Sequence, residues 1–137
     1  MILAIVMMAG ACGADPDDWP DGRPKIDELR FAQQSPQDPY ALEFLIQFTD
    51  TDGDSGRGNL HLLLDGKESS LLPMQGLFEK QSPPLPLDLT MGEFEVVVRV
   101  STDVDVGDEL KFGFFIEDAK GQESNDPWIA LKALEGS

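Results

Sequence analysis

Four stretches of this chain set an apolar side chain at every second position. In ALEFLIQFT (residues 41–49) these are Leu42, Phe44, Ile46 and Phe48, with Glu43, Gln47 and Thr49 on the opposite parity. NLHLLLD (59–65) repeats the pattern with Leu60, Leu62 and Leu64, and EFEVVVRVS (93–101) gives Phe94, Val96, Val98 and Val100 against Glu93, Glu95 and Arg99. ELKFGFFIED (109–118) adds Leu110, Phe112, Phe114 and Ile116. Successive side chains of a strand point to opposite faces, so a period of two makes each segment a strand with one face buried. An apolar sheet face must be covered by another layer. Weaker strands are expected at IDELRFAQ (26–33) and PWIALKAL (127–134), the latter with Ile129 and Leu131 inward and Lys132 outward.

Between Gly66 and Thr90 the alternation fades into KESSLLPMQGLFEKQSPPLPLDLT, whose prolines cannot donate to a ladder, so this part reads as edge strand and loop. No helix is expected. At 137 residues the chain is one domain's worth of material. About seven short strands separated by Gly, Asp and Pro turns imply an all-β fold: a single antiparallel sandwich over residues 25–135, with a partly open barrel as the competing architecture.

FFIEDAKGQESND (114–126) resembles the closing hairpin of bacterial immunoglobulin-like and fibronectin-like modules, in which a strand ends in Asp-Ala-x-Gly and the next begins after Ser-Asn. FTDTDGDSG (48–56) similarly resembles the loop joining their second and third strands. These two motifs cover about a fifth of residues 25–135. The resemblance implies an immunoglobulin-like β-sandwich.

The N-terminus follows a different rule. MILAIVMMAGA (1–11) carries no charge and is too short to span a bilayer, which takes about 20 apolar residues. It reads as the apolar region of an export signal. Ala9-Gly10-Ala11-Cys12 resembles the lipobox of bacterial lipoproteins, which implies lipidation of Cys12, removal of residues 1–11 and anchoring in the cell envelope. In that family a non-acidic residue after the cysteine, here Gly13, implies the outer membrane of a Gram-negative host. GADPDDWPDGRPK (13–25) is rich in proline and aspartate and has little to bury, so residues 12–24 are expected to form a disordered acidic tether. The other reading of residues 1–12 is an apolar N-terminal strand carrying a core thiol.

Acidic residues outnumber basic ones 26 to 10, a formal charge of -16, which argues against a nucleic-acid partner. It suits cationic partners and divalent cations. Asp50, Asp52 and Asp54 fit positions 1, 3 and 5 of an EF-hand loop, but position 6 is Ser55, position 12 is His61, and strands flank the segment, which excludes that motif. In a sandwich the loop after the second strand and the loop after the sixth emerge at one end. Asp50, Asp52 and Asp54 should then meet Asp118 and Asp126, with Glu117 and Glu123 nearby, as a candidate calcium site. The competing explanation is that Asp, Gly and Ser are simply what turns require. A second acidic run, STDVDVGDE (101–109), should lie at the opposite end.

No catalytic constellation is visible. His61 is the only histidine and its parity places it on the solvent side of its strand. With one histidine and one cysteine there is no zinc set, and no phosphate loop or nucleophile elbow occurs. Trp128 and Tyr40 are candidates for stacking on sugars, but a tryptophan at a strand start, as Trp128 is, is more often a core or rim residue. The sequence therefore points to a non-enzymatic envelope lipoprotein displaying its sandwich for adhesion, assembly or scaffolding. The alternative is a calcium-dependent module that recognises a protein or glycan through loops 50–58 and 117–126.

Overall fold

The structure, a computed structural model, describes residues 3–12, 22–38, 40–100 and 107–135, with residues 3–12 and 133–135 described by their backbone alone. The strands are β1 (Leu3–Cys12), β2 (Lys25–Gln34), β3 (Ala41–Thr49), β4 (Asn59–Leu64), β5 (Lys67–Pro73), β6 (Met91–Arg99), β7 (Glu109–Glu117) and β8 (Trp128–Glu135). They form two antiparallel sheets, β2-β3-β6 and β1-β8-β7-β4-β5. Seven of the strands lie within residues 25–135 and make one β-sandwich, as the alternation requires.

The core forms where the two apolar faces meet. Leu42, Phe44, Ile46, Phe48, Phe94, Val96 and Val98 from one sheet pack on Leu60, Leu62, Phe112, Phe114, Ile116, Ile129 and Leu131 from the other, all buried. Every inward residue expected of β3 is among them, as are Phe94, Val96 and Val98 of β6, and Val100, just past the end of β6, is buried in the same core. Phe44 is the aromatic hub, its ring centroid 5.2 Å from that of Phe112 and 5.3 Å from that of Phe114. Asp65 and Gly66 both take positive φ (53° and 85°) in the two-residue turn from β4 to β5, the geometry that Asp-Gly hairpins favour.

One segment departs from expectation. Residues after β5 form a short helix, α1 (Met74–Glu79), where only edge strand and loop were anticipated. Pro73, extended at ψ 128°, ends the strand and starts the helix, and Met74 and Phe78, one turn apart, both bury completely. A 3-10 turn, Ser55–Arg57, adds a second piece of helix between β3 and β4. Among the described residues no helix is long and apolar enough to cross a membrane.

The backbone of Leu3–Cys12, which spans most of the expected export signal (1–11) and the expected lipidation point Cys12, runs antiparallel along β8, from Leu3 opposite Glu135 to Cys12 opposite Trp128. Most of the expected tether lies outside the described residues. Its last three, Gly22, Arg23 and Pro24, are described, and Gly22 and Pro24 are buried at one end of the sandwich.

A carboxylate pole at one end of the sandwich

β3 ends at Thr49 and β4 begins at Asn59, which pairs with Glu117 at the end of β7. The register therefore brings the loop 50–58 and the turn 118–121 to the same pole, and Lys25 of β2, opposite Thr49, brings Gly22–Pro24 there too. Gly58 permits the approach: a Cβ on it would collide with the carbonyl oxygen of Glu117. Any other residue at 58 would push the two loops apart.

Within the pole, one carboxylate oxygen from each of Asp50, Asp54 and Asp118 lies within 4.8 Å of the other two. Asp50 is fully buried and Asp118 nearly so. Both also build their loops. Asp50 accepts the Asp52 amide (3.1 Å) and the Ser55 hydroxyl (2.5 Å), and Asp118 accepts the amides of Lys120 (3.0 Å) and Gln122 (2.8 Å). The turn-forming role of aspartate is thus real at these two positions.

Asp54 is different. Both of its carboxylate oxygens are shut off from solvent and neither meets a hydrogen-bond donor. A turn does not need such a group, and burying it unsatisfied costs free energy. Burial, a proton shared with Asp50, and the charges of Asp118 and Asp50 raise its pKa from 3.8 to about 6. Three carboxylate oxygens within 4.8 Å of one another are spaced as ligands of one ion: the centre of the widest such triangle lies about 2.8 Å from each oxygen, so contact at the roughly 2.3–2.6 Å that calcium prefers draws them slightly inward.

Two of the five expected ligands do not join them. Asp52 is exposed and pairs with Lys120 Nζ at 3.1 Å. Asp126 is exposed and lies down the sheet, because the chain turns back along β7 after Gly121: Ser124 N donates to Ile116 O (2.7 Å), and Phe114 N to Pro127 O (3.1 Å). At about 3.3 Å per residue this carries Asp126 on the order of 10 Å from the pole. Glu117 is drawn aside by His61, and Glu123 contributes its backbone carbonyl to Arg23 Nε. Of the second acidic run, Asp103 and Asp105 lie outside the described residues.

Sequence reasoning missed Gln122 and Gly22. With its nitrogen turned inward, the Gln122 amide donates to Gly22 O (3.1 Å) and to Asp118 Oδ2 (2.9 Å). Gly22, at φ 80°, also donates its N–H to Thr51 Oγ1 (2.9 Å), and a Cβ on it would strike Asp52 Oδ2 at 2.6 Å. The only signal for either was the spacing of Asp118 and Gln122 across the Lys120-Gly121 turn.

His61 is also not where parity alone suggests. It faces outward from β4 but is buried: its ring stacks on Phe115, 4.3 Å between centroids, and its nitrogens meet Glu68 and, at 3.1 Å, Glu117. Trp128 is half-buried at the sheet rim under Lys111, whose Nζ sits 4.1 Å from the ring centroid. Tyr40 packs against the core. No protein-family model matches the chain, and no curated protein sequence matches it. What the pole does is therefore argued from its side chains.

Proposed function

We propose that the chain is a non-catalytic binding module of the bacterial cell envelope, anchored through a lipid on Cys12, with a divalent cation organising the loops that meet a protein or glycan partner. The observation that carries the cation is Asp54, whose two buried oxygens lack donors beside two further buried carboxylates. The donor set is all oxygen, which favours calcium. Zinc would call for nitrogen or sulfur, and the sole histidine already has both ring nitrogens committed to Glu68 and Glu117.

Melting in EDTA and in calcium tests the reading. An ion that binds only the folded chain stabilises it by mass action, about 2.7 kcal/mol at a hundredfold excess over Kd. For a domain of this size that is a rise in Tm on the order of 10 °C. Asp54→Asn keeps the shape of the side chain but removes its charge, and should abolish most of the rise. A wild-type chain indifferent to 10 mM calcium, or a D54N chain that responds as strongly as wild type, rejects the site.

A further inference from the structure

The segment through which the chain enters the sandwich reaches the same pole as the carboxylates. Gly22 is buried there, its N–H bonded to Thr51 and its carbonyl 3.1 Å from the Gln122 amide, which in turn lies 2.9 Å from Asp118 Oδ2. Arg23 donates to the Glu123 carbonyl, so the entering chain bridges the 50–58 loop and the 118–123 turn. A primary amide has two ends: with nitrogen inward Gln122 is a donor, and with oxygen inward it sets a third oxygen beside Gly22 O and Asp118 Oδ2. Calcium takes about 6 to 8 oxygens and readily accepts backbone and amide carbonyls, so three aspartates alone leave its sphere incomplete.

We propose that Gln122 Oε1 and the Gly22 carbonyl are ligands of the same cation as Asp54 and Asp118, so that loading the pole clamps the entering segment Gly22–Pro24 to the domain. This rests on the calcium reading above and adds a consequence. The cation then controls how rigidly the sandwich is held relative to whatever precedes Gly22. The local charge favours such control, because without a cation Asp52 beside Gly22 is offset by Lys120 while Asp50, Asp54 and Asp118 have no basic ion-pair partner among the described residues.

Two measurements on the full-length chain test it, with calcium as the only added ion. In hydrogen exchange, saturating calcium should slow the Gly22 amide at least tenfold relative to EDTA. In calcium titrations, Gln122→Leu should weaken binding about tenfold, whereas Gln122→Glu, which keeps an oxygen but cannot donate, should bind at least as tightly as wild type. Gln122 is exposed, so neither change disturbs the core. If wild type takes up no calcium, the site itself is wrong and the clamp falls with it. If calcium binds but Gly22 exchange is unmoved, or if Q122E is as weak as Q122L, the clamp is overturned and the aspartate site stands.

Discussion

Asp54, half-buried with both carboxylate oxygens shut off from solvent, and the buried His61 each have a raised folded pKa, and each makes stability depend on pH. For Asp54 the folded value of about 6 exceeds the ordinary 3.8, so its contribution is full below 3.8 and is lost as pH rises through 6. A displacement of that size is worth at most about 3 kcal/mol. In EDTA the wild type should therefore lose stability between pH 4 and pH 7 relative to D54N, which has nothing to titrate there. Urea denaturation of both chains at the two pH values measures it, and parallel curves would show that Asp54 is solvated after all. For His61, burial lowers the pKa, but the hydrogen bonds and charges of Glu68 and Glu117 outweigh it and the net shift is upward. Phe115, stacked on the ring, and Leu71, opposite it on β5, carry no charge. The bonus is thus complete below the ordinary 6.5 and disappears as pH climbs through the folded value. With Glu68 half exposed it is about 1 kcal/mol. His61→Gln should flatten the wild-type decline between pH 6 and pH 9, and a decline that persists in H61Q would assign it elsewhere.

At the scale of elements, the alternation identified β3, β4, β6 and β7 and their inward residues because a period of two is a direct consequence of the pleat. It placed His61 on the correct face but misjudged its exposure, since only the β4–β7 register sets Phe115 opposite it. Asp54 and Asp118 were reached through topology, while Asp126 was misplaced because nothing in the letters marks the return of the chain along β7. Helix α1 was invisible for a different reason: six residues with two buried positions carry less than two turns of periodicity, in a proline-rich setting. Yet it has a structural task. Gln81, just beyond it, accepts the Glu95 amide and donates to the Glu95 carbonyl, both at 3.0 Å, imitating a neighbouring strand on the free edge of β6. Phe78 anchors that arrangement between Phe48 and Phe94, with centroids 5.8 Å from each. Phe78→Ala should cost about 3–5 kcal/mol, whereas Gln81→Ala should cost only about 1 kcal/mol and make the β6 edge sticky. Chemical denaturation paired with light scattering separates the two effects. Equal losses in both variants would mean that α1 is not held by its core anchor.

At the scale of the whole molecule, the two proposals at the N-terminus meet on β8. The core cluster draws its buried residues from Ile26 to Leu131, while the backbone of Leu3–Cys12 occupies the outer edge of β8. If Cys12 is the lipidation point, processing removes Leu3–Ala11 and leaves the β8 edge with unpaired N–H and C=O groups, which pair readily with another strand. The buried side chains described between Ile26 and Leu131 pack on one another across the two sheets. A chain beginning at Gly13 should therefore unfold in one cooperative transition while associating more readily than the unprocessed chain, a difference visible by sedimentation. Cys12→Ser, which blocks lipid transfer, should retain Leu3–Ala11 and stay as monomeric as the precursor. Mass spectrometry of the envelope protein decides which form exists: a diacylglyceryl group on an N-terminal Cys12 establishes the processed module with its open edge. An intact N-terminus starting at Met1 instead makes Leu3–Cys12 a permanent strand of the larger sheet and removes the anchor from the proposal. In either form the carboxylate pole is unchanged, because loops 50–58 and 118–121 are positioned by β3, β4 and β7 and not by β1.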